Sequence, residues 1–448
     1  MSSLTGHGRL GAGARSWLEI VRPWRDPIIA FAPLADEDRA LLLHDGRSGR
    51  ARVFARPSLT FEDGSRAGFE ALQADFRAAG SDGMLAGLFG YDLASAFETL
   101  PAHMPRWPAL AFARYPVWAE FDQAAGTMAV RGRDLELMEE FADLLGSGAA
   151  PGPVAAVGAA AEAEIRAAGW SACWTPERYL AAASRARDYV HAGDVFQVNL
   201  SQAFEAELAQ GDDPYAVFER LCRASPAPHA AYFRLDATHV ILTNSPERFV
   251  SVRGGHVEAR PIKGTRKRSG DARDDAALAA ELAASPKDRA ENLMIVDLMR
   301  NDISRVCTPG SVHVPVLCAV ESYANVHHLV SVVEGELEAG RDVFDLVAAS
   351  FPPGSITGAP KVRAMQIIAE LEGESRGPYC GALGWISPAG DMDLNVMIRT
   401  AAMHLEDNIW HATIRSGGGI IADSDPQAEY EETLTKASAL RRAVEGRE

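Results

Sequence analysis

Two sets of carboxylates in this 448-residue chain stand at helical intervals, the spacing a metal site or a charge relay would use. Asp288 and Glu291 are related by i, i+3, and Glu429, Glu432 and Lys436 by i, i+3, i+7, so each set projects from one face of its helix. Two such faces turned toward each other could hold a hard cation. Magnesium suits them, because it takes oxygen ligands, keeps several waters and shares its sphere with an anionic substrate. The same acids would also complement a helix dipole, and Glu432 with Lys436 would make an ordinary surface pair. Spacing alone leaves both open.

Lys263, in Pro261-Ile262-Lys263-Gly264-Thr265, is a second candidate. A lysine acts as a nucleophile only when part of it is neutral, and Arg260, Arg266, Lys267 and Arg268 are close enough in sequence to depress its pKa. The alternative is a solvated lysine in a basic stretch. Glu247, at the end of a strand-like run, could serve as a general acid if burial raised its pKa, or could pair with Arg248. His327 and His328 offer a base or a structural cap. Glycine-rich backbone at 417–419 and in the loop 351–361 could present free N–H groups to a carboxylate, or simply make tight turns. Neither matches a nucleotide-binding fingerprint.

These groups need elements to hold them. Thr175-Pro176 opens a helix that Gly193 closes, and further helices are predicted at 286–300 and 426–442, the latter capped by Asp425. Strands are expected at 39–44, 85–91, 230–235, 239–243, 248–252, 379–386 and 409–416, with Gly254-Gly255 turning a hairpin. Strands come in runs and do not alternate strictly with helices, which predicts an α+β fold. Residues 146–169 are rich in Gly, Ala and Pro and read as a linker between an N-terminal region, 18–145, and a larger region, 170–445. Residues 1–17 read as a disordered N-terminus.

The formal charge of −17 argues against a nucleic-acid partner. An anionic small substrate would need local cations or a metal to reverse that field. Five cysteines without a CxxC pair suit reduced thiols in the cytoplasm. The first 17 residues lack the apolar core of a secretion signal, and no apolar run approaches the ~20 residues that span a bilayer.

Taken together, the segments from about Trp174 to Leu440 resemble the chorismate-utilising enzymes. Several motifs occur in that family's order: Gly193-Asp194-Val195-Phe196-Gln197-Val198-Asn199-Leu200, Ser245-Pro246-Glu247-Arg248, Gly264-Thr265, and Glu291-Asn292-Leu293-Met294. His328, Gly358-Ala359-Pro360-Lys361, Ile398-Arg399-Thr400, the run from Gly417 to Asp425, and Glu429-Tyr430-Glu431-Glu432-Thr433 follow. Gly87-Leu88-Phe89-Gly90-Tyr91-Asp92 resembles the N-terminal region of the amidotransferase-coupled members. The resemblance implies a two-lobed sandwich of antiparallel sheets flanked by helices, like component I of anthranilate synthase, with the active site between the lobes. It implies Mg2+ held by Glu291, Glu429 and Glu432, with Asp288 nearby. Substrate contacts would come from Gly264, Thr265, Ser355, Tyr379, Arg399, Gly417, Gly419 and Lys436. Glu247 would protonate a departing C4 hydroxyl, and His328 would lie by the ring.

Three positions separate the family's branches. Gln197 stands where isochorismate-forming members carry a lysine base, so water activation at C2 looks lost. Lys263 and Thr357 stand where anthranilate synthases usually have Ala and Ser, and both resemble the aminodeoxychorismate synthase branch. In that branch the lysine adds at C2 of chorismate as the 4-hydroxyl leaves, and ammonia then adds at C4, on the way to p-aminobenzoate and folate. None of the cysteines lies in a Gly-x-Cys-x-Gly elbow, so a separate glutaminase subunit is expected to supply ammonia. Asp45 stands where the family's tryptophan-binding members usually carry Ser after Leu-Leu-His.

Overall fold

The computed structural model describes residues 17–79, 82–101, 103–147, 170–209, 211–323 and 326–446. The proposed terminal extension at 1–16 and linker at 148–169 lie outside the described residues. Gly146 and Ser147, expected in the linker, complete the helix Leu135–Ser147, whose buried Met138, Phe141, Ala142 and Leu145 recur at helical spacing.

Among the described residues twenty-two strands form one sheet of twelve and one of ten, and every described pairing is antiparallel. The sheets face each other through a thin layer that includes Leu41, Phe54, Met84, Leu88, Phe233, Ile241 and Trp385. Helices cover the outer faces. Pro27–Phe31, Leu135–Ser147, Pro214–Ala224 and Pro426–Val444 pack on the twelve-stranded sheet. Arg66–Ala79, Pro286–Ser304 and Val343–Ser350 pack on the other. This is the α+β sandwich that the runs of strands predict, because each sheet must bury both faces.

The N-terminal and C-terminal regions share both sheets. Leu41–Asp45 pairs with His229–Asp236, and Met84–Phe89 pairs with Ala382–Ile386 in the centre of the ten-stranded sheet. Strand Met84–Phe89 is buried at all six positions, which explains its continuous apolar reading.

Local signals are obeyed where expected. Thr175 Oγ1 accepts from the N–H of Arg178, and Asp425 caps Pro426–Val444. The glycine run is the main departure. Residues 417–419 do not form a loop after a strand; they continue Ile409–Ile420, paired to Ser201, Leu200 and Asn199. Only Gln197–Glu207 pairs with them, because Thr400–Glu406 pairs with this strand no further than Ile414, so one edge of the glycine stretch stays outside any described ladder while the missing side chains allow close strand approach. A Cβ at Gly417 would stand 2.3 Å from the Leu200 carbonyl, and one at Gly419 2.6 Å from Gln197 Nε2. The loop at 351–361 behaves as read: a short turn Gly354–Ile356 and a two-residue strand Gly358–Ala359 lead into the helix Lys361–Glu372.

Candidate active site

Lys263 is placed by an irregularity in its own strand. Ile262–Lys267 pairs with Val326–Glu336, but Ile262 opposes Val330 and Thr265 opposes His328, so Lys263 and Gly264 together face Leu329. This β-bulge re-aims the lysine out of the sheet's regular alternation. Gly264 takes φ +80°, and a Cβ there would meet Asp288 and Leu282 at 2.9 Å. Only glycine fits both the conformation and the space.

The Lys263 side chain is half-buried, and its Nζ donates to the Ser355 carbonyl at 3.1 Å. Burial lowers its pKa, against the attraction of Glu291 and Glu247; Lys436 adds a smaller push in the same direction as burial. None of the neighbours in sequence is among the groups that shift it, and the three arginines are each turned to carboxylates of their own. Arg260 pairs with Glu321, Arg266 with Glu281 and Asp288, and Arg268 with Asp275.

Glu247 lies in the short segment that crosses from the twelve-stranded sheet, at His239–Ser245, to the ten-stranded one, at Arg248–Arg253. Its backbone is pinned: Val396 N–H donates to its carbonyl at 3.0 Å, and its N–H donates to Ser245 Oγ at 3.2 Å. The carboxyl is buried, and burial pushes its pKa up to about 6 against the pull of Ser355 and Lys263. Among the described residues its Oε1 has no hydrogen-bond partner of regular geometry, and the Ser355 hydroxyl is the neighbour that favours its charged form. The alternative of a pair with Arg248 is excluded, since Arg248 is spent on Asp393 and Glu258.

The two acidic helices do converge on this lysine. From Pro286–Ser304 comes Glu291, and from Pro426–Val444 come Glu429, Glu432 and Lys436; Glu291 feels both Lys263 and Glu432. The pKa values of Glu291 and Glu429 are raised, first by burial and then with the help of neighbouring carboxylates. Glu429 accepts from Ser424 Oγ at 2.8 Å, Lys436 bridges Glu432 at 2.6 Å and the Gly417 carbonyl at 3.0 Å, and Lys287 lies 4.0 Å from Glu291. The ordinary i, i+4 pair is therefore real, and it stands at the rim of the same cleft. Asp288 is turned away to Arg266 and against Gly264.

As they stand, no three His, Cys, Asp or Glu side chains among the described residues are gathered tightly enough to enclose an ion. The donor set nevertheless suits magnesium. It is made of carboxylate oxygens on two helices, and this ion keeps waters and substrate oxygens beside one or two protein carboxylates.

A second group adjoins the first through Thr265, whose Oγ1 lies 2.9 Å from His328 Nδ1. Burial lowers the His328 pKa to about 4, with help from Arg47 and Arg399, so the ring is neutral at pH 7. Arg399 sits in the left-handed region at φ +52°, exposed, with no carboxylate partner among the described residues. Arg47, from the turn after Leu41–Asp45, stacks on Tyr323 at 4.1 Å, and Tyr323 in turn lies 5.6 Å from the His328 ring. His327 faces away to Asp275 and Ser322 as a structural cap.

Tyr379 is buried in the core of the ten-stranded sheet with its ring near Arg376. Thr357 turns its hydroxyl back onto the Pro353 and Gly354 carbonyls. Gln197 is buried beside Gly419 with Oε1 unpartnered. Asp45 caps its own turn by accepting from the N–H groups of Arg47 and Ser48, at the edge of a cavity of about 740 Å3 lined by Arg52, Arg248, Arg253 and Trp385.

Sequence reasoning passed over Arg47 and Asn199. The first gives no local signal, because a lone arginine in a turn reads as solvated. The second is a strand residue whose Nδ2 donates to the Ser355 carbonyl at 2.8 Å. A buried acid beside a half-buried lysine can donate a proton and offer an amine nucleophile, and the Arg47 and Arg399 guanidinium groups about His328 can attract a small polyanion.

Comparison with known proteins agrees with this chemistry. A family model described as chorismate binding enzyme matches residues 38–442. Aminodeoxychorismate synthase component 1 of Klebsiella aerogenes is 44% identical over 364 residues, covering 80% of this chain and 76% of that one. Anthranilate synthase component 1 of Streptomyces coelicolor is 38% identical over 377 residues, covering 81% and 73%. The crystal structure of anthranilate synthase component I from Streptococcus pneumoniae TIGR4 superposes with a TM-score of 0.71 at 28% identity, over 97% of this chain and 94% of that one.

Proposed function

Since the chain belongs to the chorismate-binding enzyme family, we propose that it aminates chorismate at C4, giving 4-amino-4-deoxychorismate for p-aminobenzoate and folate synthesis. The observation that carries this reading is the pairing of a half-buried lysine of lowered pKa with a buried glutamic acid of raised pKa across one cleft. Environments that push an amine down and a carboxyl up are what a nucleophile and a general acid need near neutral pH.

In this scheme the neutral Lys263 Nζ forms a bond to C2 while the ring double bonds shift and the C4–O bond breaks. Glu247 gives its proton to the departing oxygen, which leaves as water. Ammonia then bonds to C4, the double bonds shift back and the C2–N bond breaks, returning Lys263 as an amine. The enolpyruvyl ether is untouched in both displacements. Arg399 and Arg47 would hold substrate carboxylate, and His328, neutral, would flank the ring with Thr265. Gly264, Ser355, Tyr379, Gly417, Gly419 and Lys436 complete the proposed substrate contacts, Gly417 and Gly419 through the closeness of strand approach they permit. Glu291, Glu429 and Glu432, with Asp288 at the margin, would hold Mg2+. When bound, that ion would supply charge neutralisation for the substrate's carboxylate.

Ammonia would come from a separate glutaminase subunit, a partner that the component 1 designation of the relatives supports. Five free cysteines fit a cytoplasmic setting, and no described helix is long and apolar enough to cross a membrane.

Purified chain supplied with chorismate, ammonium chloride and Mg2+ is expected to give a mass for aminodeoxychorismate, with no pyruvate released. Lys263→Ala should lower turnover at least ~100-fold. A product mass of anthranilate with stoichiometric pyruvate would instead assign the chain to the reaction that its anthranilate synthase relatives are named for.

A further inference from the structure

Beneath the candidate lysine lies a buried ion cluster that touches no reacting group. Glu372 and Arg376 are almost wholly enclosed, and Arg415 nearly so. Arg376 donates to both carboxylate oxygens of Glu372, at 2.9 and 2.6 Å, and Arg415 donates to Glu372 Oε2 at 3.0 Å. Glu372 also accepts from the N–H and Oγ of Ser201, at 2.8 and 2.9 Å. Well-packed apolar side chains of similar volume would stabilise such a place about as well as a buried ion pair. The position of the guanidinium fork is therefore more informative than its energy.

The fork of Arg376 reaches two further acceptors. One is the carbonyl of Ile356 at 3.3 Å, the next residue after Ser355. The other is the carbonyl of Asn199 at 2.8 Å. Asn199 in turn donates its Nδ2 to the Ser355 carbonyl at 2.8 Å, the same oxygen that accepts Lys263 Nζ at 3.1 Å. The peptide that receives the lysine is thus held on one side through Ile356 and on the other through Asn199, both from one planar group. The turn Gly354–Ile356 closes on itself by Ile356 N–H to Pro353 at 3.4 Å, Thr357 N–H to Gly354 at 3.3 Å and the Thr357 hydroxyl on the same two carbonyls; none of these bonds involves the Ser355 carbonyl, which takes its contacts from outside the turn.

We propose that Arg376, anchored by Glu372 and acting with Asn199, is a positioning residue that fixes the Ser355 carbonyl and through it the direction of the Lys263 amine toward the substrate. The inference rests on Lys263 being the nucleophile for its kinetic consequence, but the placement of the amine can be measured without substrate.

Arg376→Lys keeps a cation beside Glu372 and removes the fork, so it cannot reach both carbonyls. With ammonia as nitrogen donor it is expected to lower kcat about 30-fold and leave KM for chorismate within about 3-fold, since misplacement of a reacting atom penalises the chemical step. Competitive acetylation of the free protein across pH, read at Lys263 by mass spectrometry, should show its titration midpoint moved upward as the amine swings toward Glu291 and Glu247. Asn199→Ala, which leaves the ion cluster whole, should move that midpoint in the same direction. It serves as the test if Arg376→Lys does not fold. An unchanged Lys263 midpoint in a folded Arg376→Lys or Asn199→Ala protein overturns the proposal. If the wild-type product is not aminodeoxychorismate while the midpoint still moves, the functional reading fails and the positioning role stands.

Discussion

Glu247 is the residue where activity and stability pull in opposite directions. Its carboxyl has a folded-state pKa of about 6, above the ordinary 4.5, chiefly because burial disfavours the charged form. The folded protein therefore binds the proton more tightly than the unfolded chain does. This contribution is fully present below about pH 4.5, and it is lost as pH rises through about 6, leaving a deficit of about 2 kcal/mol at neutral pH. Glu247→Gln removes the buried charge, so its Tm should exceed that of the parent at pH 8 and match it near pH 4.5. Equal Tm differences at both values would refute the burial argument. The same substitution should abolish the limb near pH 6 in the profile of kcat/KM, because the acid that donates to the C4 oxygen is gone. Lys263 is shifted in the opposite sense: burial lowers its pKa, which enlarges the neutral fraction that can attack.

At the scale of elements, the glycine-rich end of Ile409–Ile420 carries the sharpest expectation. Gly417 backs onto strand Gln197–Glu207, where an added methyl would meet the Leu200 carbonyl at 2.3 Å and the Ser201 side chain at 2.8 Å. Gly417→Ala should therefore prise the two strands apart and lose about 1–3 kcal/mol, seen as a lower urea midpoint. Gly418, on the opposite face, meets Glu429 Oε2 at 3.0 Å and then Glu432 and Lys436 at 3.8 Å, all ends of movable side chains. Gly418→Ala should keep the urea midpoint close to that of the parent and weaken Mg2+-dependent activity. The bulge at Lys263-Gly264 follows the same logic, since one extra residue in one strand turns an outward lysine into a cleft lysine.

At the scale of the whole molecule, the shared sheets decide whether the chain can be divided. Leu41–Asp45 and Met84–Phe89 each fill a place beside a strand of the C-terminal region. A fragment starting at residue 170 would expose the unpaired edges of His229–Asp236 and Ala382–Ile386 and the apolar layer around Phe233 and Trp385. Expressed alone, it should be insoluble or lack near-ultraviolet circular dichroism. A soluble, cooperatively unfolding fragment would show that the N-terminal strands are dispensable. The acidic surface is likewise a property of the whole: a net charge of −17 coexists with local groups of cations, Arg47 and Arg399 about His328 and Lys436 near Lys263.

What the amino-acid order determined by itself is what local physics governs. Caps at Thr175 and Asp425, the hairpin at Gly254-Gly255 and the short strand-like runs were all legible, because caps, turns and local apolar runs act over a few residues. The ordered motifs were enough to single out Lys263, Glu247 and the acidic helices. Only the tertiary structure decided which groups are partnered. It turned Arg260, Arg266 and Arg268 away from Lys263 and left burial to lower its pKa. It paired Glu429-Tyr430-Glu431-Glu432's helix with the one bearing Glu291 around that lysine. It put glycines 417–419 inside a ladder, brought Arg47 across from the N-terminal region, and set Arg376 beneath Ser355. The physical reason is that desolvation and hydrogen-bond pairing depend on neighbours tens to hundreds of residues away. Spacing along the chain carries no record of them until the sheets have closed.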